Sequence, residues 1–194
     1  MYRTSESTWR VFCAIEIPEN IRQRISRHAT QLQEALPDVQ ASWTKPDNIH
    51  LTLKFFGNIS QQQVLKASQA AARAVDGLRS FTIHIEGAGS FPPRGPAKVL
   101  WIGISDATGT LIQLQQKFES ECEREGFPKE NRAFHPHLTV ARLRTARGAR
   151  PLAEQHKRLE FEGGDVSVSS LILFRSELSS KGSRYTSIST HRLD

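Results

Sequence analysis

Two kinds of hydrophobic pattern alternate along this chain. Between Ile21 and Leu36, apolar residues recur at spacings of three and four, which is the period of an amphipathic helix. Between His50 and Phe56, apolar and polar side chains alternate, which predicts a half-buried β-strand. The same patterns predict helices over 18–36, 60–77, 111–122 and 151–157, and strands over 9–17, 50–57, 81–86, 98–104, 165–174 and 183–190 and at His137.

Residues at the ends of these segments support the assignment. Pro18 takes the first turn of a helix, where its missing N–H costs nothing. Ser60 and Gln63 have the spacing of a capping box at the start of the next helix. The stretch 87–96 is rich in proline and glycine, which predicts a connection between strands, and Gly182 favours a turn between the last two strands.

A tetrad of one type occurs twice, at residues 50–53 (HLTL) and 137–140 (HLTV). In a strand, residues two apart share a face, so each tetrad aims an imidazole and a hydroxyl at the same volume. A third His-x-Thr, at His28 and Thr30, lies in a helical pattern, where residues two apart point apart. We expect that third copy to be inert and, like His156 and His191, to lie in a surface segment.

The order strand, helix, histidine strand is found in both halves of the chain. This order predicts an internal duplication within a single two-lobed domain that spans residues 1–194. Two copies related by an approximate two-fold axis would place the tetrads across a shared cleft, one imidazole on each side of a bound ligand.

Composition narrows the class of protein. With 194 residues, 38% of them hydrophobic, the chain can bury a large core. Its two cysteines, Cys13 and Cys122, lie in apolar patterns and are expected in that core, so neither a disulfide framework nor a thiolate metal cluster is indicated. The polar start, residues 1–10, lacks the apolar run of a signal peptide or membrane span, and we expect a cytoplasmic monomer.

The net positive charge weakly favours a polyanion as the binding partner. The formal net charge is +6, which favours anionic partners but also suits ordinary solubility. A local run of arginines forms either a solvated loop or a phosphate-contacting surface. Its members are Arg142, Arg144, Arg147 and Arg150.

Two histidines and two threonines suit phosphodiester hydrolysis. At one pH, a neutral imidazole can act as general base on water while an imidazolium protonates the departing oxygen. Threonine hydroxyls can donate hydrogen bonds to the phosphate oxygens, and no metal or other cofactor is then needed. His135 and His137 form a His-x-His pair that would suit zinc, but no Asp, Glu or Cys accompanies either tetrad, so we expect no metal site.

The segments 50–57 (HLTLKFFG) and 132–142 (RAFHPHLTVAR) resemble the paired signatures of the two-histidine phosphoesterase superfamily. Within it they are most similar to the RNA 2',3'-cyclic phosphodiesterases of the ThpR or LigT type. The resemblance covers nearly the whole chain, including the strand 98–103 and the ending 174–178 with Gly182 and Tyr185.

The resemblance implies a fold, a reaction and roles. The fold is of the α/β (α+β) class, with two pseudo-symmetric lobes, antiparallel sheets facing a central cleft and helices outside. The reaction opens a terminal 2',3'-cyclic phosphate on RNA to a 2'-phosphate. His50 would then be the proton donor to the departing 3'-oxygen and His137 the proton acceptor, while Thr52, Thr139 and Arg142 would bind substrate.

The sequence leaves open the roles of several residues next to the tetrads. Alternation puts Lys54 and Phe56 on the His50 face, where they could contact phosphate and base, although core packing is equally compatible with Phe56. Arg142 is out of phase with His137 and Thr139, so it reaches the cleft only where the strand ends or twists.

Three alternative functions share these residues. One is a phosphodiesterase of the same superfamily that acts on small cyclic nucleotides or linear 2'-5' linkages. Another is a 2'-5' RNA ligase, in which a sugar hydroxyl replaces water. The third, from a different class, is a non-catalytic module that binds RNA ends.

Overall fold

A computed structural model of the chain describes residues 7–180 and 182–194. Within them the fold is mixed α+β, with four helices and a single antiparallel sheet of nine strands. The strands are β1 (Thr8–Glu16), β2 (Ala41–Trp43), β3 (His50–Ser60), β4 (Phe81–Phe91), β5 (Val99–Ser105), β6 (His137–Leu143), β7 (Glu162–Val168), β8 (Ser170–Ser179) and β9 (Gly182–Arg192). The helices are α1 (Glu19–Ala35), α2 (Gln61–Val75), α3 (Thr110–Arg124) and α4 (Ala149–Arg158), with a 3₁₀ turn at Pro46–Asn48.

The sheet has a symmetric plan. Its order is β7-β4-β5-β6-β3-β1-β8-β9, and β2 adds to β6. The two tetrad strands, β3 and β6, lie at the centre and are joined by one antiparallel residue pair, Leu51 with Leu138. Both leucines are the second residue of their tetrads. An antiparallel pair of equivalent residues gives the two halves of the sheet a local two-fold relation.

The helices are exchanged between the halves. Helix α1, from the first half of the chain, packs against α4, β6 and β7, and α4 packs against β4. Helix α3, from the second half, packs with α2. The α2–α3 layer covers β3, where the Phe56 ring lies 6.2 Å from that of Phe118. Each half of the sheet is therefore covered by one helix from either half of the chain.

Several predicted boundaries were wrong because long strands here tolerate irregularities. β3 runs through Gly57 to Ser60, and β4 continues to Phe91, inside the stretch predicted as a connection. The predicted strand 165–174 is two strands, which are separated at Ser169 and pair with different neighbours: β7 with β4, and β8 with β1 and β9. The short strand β2 and the 3₁₀ turn were not predicted, because neither is long enough to show a period.

The predicted helix cap and the predicted burial of both cysteines are confirmed. The capping box is present: Ser60 accepts a hydrogen bond from the Gln63 backbone, and the Gln63 side chain accepts one from the Ser60 N–H. Cys13 and Cys122 are buried free thiols, and burial raises the pKa of both, that of Cys122 to about 12. Among the described residues, no helix combines the length and apolar character that crossing a membrane requires.

Candidate active site

The two tetrads have the same pattern of exposure. In both, the histidine and threonine are half-buried, the two apolar residues between and after them are buried, the fifth residue is buried and the sixth is exposed. Leu51 and Leu138 belong to the hydrophobic core, at 1% and 0% exposure. The tetrads thus anchor one face of each strand in the core and present His and Thr on the other, as alternation predicts.

A β-bulge follows each tetrad threonine. On β3, Thr52 pairs with Ala14 and Lys54 with Cys13, so Leu53 is an extra residue. On β6, Thr139 and Ala141 pair with consecutive residues of β5, so Val140 is the extra residue there. A bulge reverses the alternation beyond it, because two successive residues then take one pleat position.

The two bulges decide which residues share the histidine face. Phe55 and Arg142, the sixth residues of the two series, are exposed on that face, whereas Lys54 is turned into the core. The phase difference between Arg142 and His137 that alternation predicted is removed by the bulge at Val140.

The register brings both tetrads together. In the antiparallel register set by Leu51 and Leu138, His50 falls beside Thr139, and Thr52 falls beside His137. Each histidine therefore has one threonine on its own strand and another on the neighbouring strand. Within the described part of the chain, neither threonine hydroxyl has a hydrogen-bond partner.

Both imidazoles are held in the same way. Nδ1 of His50 lies 2.7 Å from the carbonyl oxygen of Asn48, and Nδ1 of His137 lies 2.6 Å from that of His135. A carbonyl oxygen only accepts hydrogen bonds, so each Nδ1 carries a proton and donates it. In the neutral ring, Nε2 is then an unprotonated acceptor, and in the imidazolium it is a donor. Both rings thus keep Nε2 for a ligand.

Aromatic rings differ around the two histidines. The His50 ring stacks on Phe12, with centroids 4.7 Å apart, and meets the edge of Tyr185 at 5.3 Å. The His137 ring meets Phe91 edge-on at 5.1 Å. The His50 imidazole is thus enclosed on two sides by rings, whereas in residues 7–180 and 182–194 only Phe91 makes a ring contact with the His137 imidazole.

Burial lowers the pKa of both histidines. For His50 this desolvation is opposed by the hydrogen bond to the Asn48 carbonyl. For His137 it is likewise opposed by the His135 carbonyl, but the positive charge of Arg142 and the nearby His135 ring lower the pKa further. His137 is therefore the site where extra positive charge favours the neutral imidazole, the form that a general base needs.

Two pockets flank the histidines. A pocket of about 460 Å³ beside His50 is lined by Phe12, Phe174 and Tyr185 together with charged residues near the start of α1. A pocket of about 350 Å³ lies beside His137 and is lined by Phe91, Trp101 and the strand end of β5.

The expectations for Lys54 and Phe56 on the cleft face were wrong. Lys54 is buried, and its Nζ donates to Glu119 Oε1 at 2.5 Å and to the Pro128 carbonyl at 2.9 Å. Phe56 packs edge-on against Phe127 at 4.8 Å in the core, which is its alternative prediction. The bulge at Leu53 is the physical reason for the Lys54 error.

The expectation that His28 and His156 lie in surface segments was also wrong. They are 5% and 0% exposed, and their rings meet between α1 and α4. Nε2 of His156 donates to the Trp101 carbonyl at 3.0 Å, so its Nδ1 accepts from Nε2 of His28 at 2.8 Å. His191 is half-buried beside Ser68 and Ser189. His28 thus contacts His156 and not the tetrad histidines, and the inertness of the third His-x-Thr stays a prediction.

Metal-ligating side chains gather elsewhere. In the residues that the structure describes, one group of three has suitable spacing, namely His84, Glu86 and Glu162 on β4 and β7. It includes neither tetrad histidine. His84 is also bonded to Asp165 through Nδ1 at 2.7 Å.

Sequence reasoning missed the aromatic residues that shape the cleft. Phe12 and Tyr185 lie on other strands from the tetrads, and only the three-dimensional register shows that they enclose His50. Strict alternation from His50 would turn Phe55 towards the core, yet it is 48% exposed, and the Arg10 guanidinium lies 4.4 Å from its ring centroid. The repeat could have indicated this position. Phe55 and Arg142 are each the sixth residue counted from their tetrad histidine, so the same bulge in both strands would put both on the histidine face.

Comparison with known proteins decides the family. The model of the LigT-like phosphoesterases matches residues 15–101 and, a second time, residues 102–185. The chain belongs to this family. The resemblance to two-histidine phosphoesterases that the paired signatures predicted is thereby confirmed. The two matches divide the chain within β5, so that each contains one tetrad.

Two RNA 2',3'-cyclic phosphodiesterases are similar to this chain in sequence. An RNA 2',3'-cyclic phosphodiesterase of Methanothermobacter thermautotrophicus is 35% identical over 185 residues, which are 95% of this chain and 98% of that one. The enzyme of that name from Escherichia coli is 34% identical over 134 residues, 69% of this chain and 71% of that one.

Solved structures confirm the predicted fold class. A protein of Thermus thermophilus, 24% identical, superposes with a TM-score of 0.79 over 95% of this chain and 97% of that one. Escherichia coli LigT, crystallised with 3'-AMP, is 26% identical with a TM-score of 0.75 over 96% of this chain and 98% of that one. The LigT-like fold therefore extends over almost the whole chain.

Proposed function

We propose that this protein is an RNA 2',3'-cyclic phosphodiesterase that hydrolyses a terminal 2',3'-cyclic phosphate to a 2'-phosphate by acid–base catalysis from two histidines, without a metal. Relatives at 35% and 34% identity carry that name. The observation that carries the proposal is the paired anchoring of His50 and His137 by Nδ1, which leaves both Nε2 atoms open on one face of adjacent strands.

His137 is the proton acceptor in this proposal and His50 the proton donor. Neutral His137 takes a proton from water through Nε2 as the water oxygen bonds to phosphorus. The bond from phosphorus to the 3'-oxygen breaks, and that oxygen takes the proton from Nε2 of His50. The assignment is supported by Arg142, whose charge lowers the pKa of His137. The anionic phosphate, once bound, favours the protonated form of His50.

Thr52, Thr139 and Arg142 are proposed to bind the phosphate. The two hydroxyls lie beside the two histidines, where they can donate to the non-bridging oxygens as charge grows there. Arg142 is exposed on the same strand face and adds a positive charge. Phe55, with Arg10 over its ring, offers a flat surface on which the base can stack.

The test is an assay with chelator on an oligoribonucleotide ending in a 2',3'-cyclic phosphate. We expect a 2'-phosphate product, identified by its resistance to a 3'-specific phosphatase, and loss of turnover in His50→Ala and in His137→Ala. Full activity in either variant would refute the two-histidine mechanism. Salt-dependent binding without turnover would instead favour an RNA-end binding module.

Two further arms of the assay separate the alternatives of the same superfamily. Hydrolysis of nucleoside 2',3'-cyclic phosphates but not of the oligonucleotide would exclude RNA as the substrate. Conversion of the oligonucleotide into 2'-5'-joined products, when an RNA with a 5'-hydroxyl is added, would identify a ligase.

A further inference from the structure

The pocket beside His137 is not used by the chemistry proposed above. It has a volume of about 350 Å³ and extends from His137 along β5 and β4 as far as Glu86 and Ser105. One end is aromatic, formed by Phe91 and Trp101, whose ring centroids are 5.4 Å apart. The other end is polar.

A glycine on β4 makes room for the indole of Trp101, which forms the floor of the pocket. Gly103 pairs with His137, and Gly89 pairs with Trp101. A Cβ at Gly89 would collide with the indole of Trp101. A Cβ at Gly103 would collide with the Glu86 carbonyl oxygen at 2.6 Å and would lie in ordinary contact, at 3.5 Å, with Cζ3 of the indole. The indole therefore lies against the bare backbone at Gly89, with its Cζ3 edge towards Gly103. Its Nε1 is buried and has no hydrogen-bond partner in the described residues, so the ring is held by van der Waals packing and not by a hydrogen bond.

The polar end accepts hydrogen bonds. Glu86 is exposed there, and its Oε1 accepts one hydrogen bond from the Ser105 hydroxyl at 2.7 Å. Each carboxylate oxygen has two lone pairs, so Oε1 can accept a second hydrogen bond and Oε2 is available as well. Beyond it, His84 is bonded to the carboxylates of Glu162 and Asp165, at 2.8 and 2.7 Å. With three carboxylates around one histidine, this end repels phosphate and favours neutral groups with N–H donors.

We propose that this pocket is a second nucleobase subsite, selective for guanine, which stacks on Trp101 and donates two N–H bonds to Glu86. A flat floor suits any base, since every base has a π-face. Guanine presents adjacent N1–H and N2–H donors, which match the two oxygens of one carboxylate. Adenine presents one amino group beside an acceptor nitrogen, so it matches only one of them.

The location identifies which nucleoside binds there, and this step rests on the proposed function. With His50 as acid, the 3'-oxygen and the terminal ribose face His50, on the far side of the phosphorus from His137. The pocket adjoins His137, where water enters. It therefore holds the base of a separate nucleoside and not that of the terminal nucleotide.

The experiment is a titration of the wild-type protein with guanosine, inosine and adenosine, followed by the NMR signal of the Trp101 indole N–H. Inosine lacks the N2 amino group of guanosine and is otherwise alike. We expect guanosine to bind about tenfold more tightly than inosine, the effect of about one hydrogen bond to a charged group. Guanosine should also inhibit hydrolysis of uridine 2',3'-cyclic phosphate, because it occupies the entry of water.

Matched carboxylate variants separate recognition from charge. Glu86→Gln should abolish the preference for guanosine over inosine, whereas Glu162→Gln, which removes a neighbouring charge outside the pocket lining, should retain it. Equal affinity for the three nucleosides, or a preference that survives Glu86→Gln, would overturn the subsite. The titration reads binding directly, so it decides the point even if no cyclic phosphate is hydrolysed.

Discussion

Two pairs of histidines, each with one member from either half of the chain, differ in which of their ring nitrogens are hydrogen-bonded. His50 and His137 bond to backbone carbonyls two residues earlier and keep Nε2 open. His28 and His156 bond to each other and to the Trp101 carbonyl, so their Nε2 atoms are occupied. Burial lowers the pKa in all four.

The difference shows what makes a histidine chemically available. A lowered pKa does not distinguish the pairs, and neither does the His-x-Thr spacing, which His28 shares with the tetrads. The distinction is geometric: a strand turns His and Thr to the same face, whereas the helix directs His28 inwards and leaves Thr30 exposed, bonded to the Ser26 carbonyl. Four predictions test this comparison.

The largest effect is expected from the cleft pair itself. His50→Ala and His137→Ala should each reduce kcat about 10³-fold, within the range of general acid–base catalysis. The double variant should lose little more than the worse single variant, because both groups act in one transition state. Single-turnover kinetics on a cyclic-phosphate RNA measures this. His28→Gln should retain the wild-type rate, and losses that multiply in the double variant would argue against concerted action.

The buried pair, His28 and His156, should make the stability of the protein depend on pH. The burial of His28 and the neighbouring His156 lower the pKa of His28 from 6.5 to about 4. Between these values the unfolded chain binds a proton at His28 that the folded protein does not, so His28 alone lowers the free energy of unfolding by about 3 kcal/mol as pH drops from 6.5 to 4. Urea unfolding at both pH values measures this. His28→Gln should lose much of that dependence; an unchanged dependence would show that His28 is not its source.

A smaller effect is expected from the threonines. Thr52→Val and Thr139→Val each remove one hydroxyl beside the two imidazoles and should lower kcat/KM about 10²-fold, as for a single oxyanion donor. Thr30→Val is the matched control in the helical copy and should leave kcat/KM unaltered. If Thr30→Val were as damaging as Thr52→Val, the strand geometry would not explain the difference between the copies.

The smallest effect concerns the asymmetry within the cleft pair. The charge of Arg142 lowers the pKa of His137, so Arg142→Gln should raise that pKa. Because the base must be neutral, the acidic limb of the kcat/KM profile should move to higher pH. Arg144→Gln removes an exposed arginine bonded to Ser42 and serves as control. If the acidic limb of the kcat/KM profile does not move in Arg142→Gln, that limb reports the titration of a group other than His137.

Much of this architecture follows from sequence periodicity, and the errors have a common cause. The amphipathic helices, the capping box at Ser60 and the tetrad strands were predictable because each depends on residues close in sequence. The bulges at Leu53 and Val140 depend on the neighbouring strand, so alternation alone placed Lys54 on the wrong face. The partners of Lys54 and His28 lie 65 and 128 residues away, on other elements.

The exchange of helices bears on how the chain folds during its synthesis. The first half of the chain cannot complete its own helical layer, because the partner of α1 is α4, and the Arg24 guanidinium of α1 bonds to the backbone carbonyl of Gly163 at 3.0 Å. When only the first tetrad has been synthesised, β3 with His50 has been made, but β6, its neighbour at the centre of the sheet, has not. The cleft needs β6 beside β3 and Tyr185 of β9 beside His50, so it can be complete only after both segments have been synthesised.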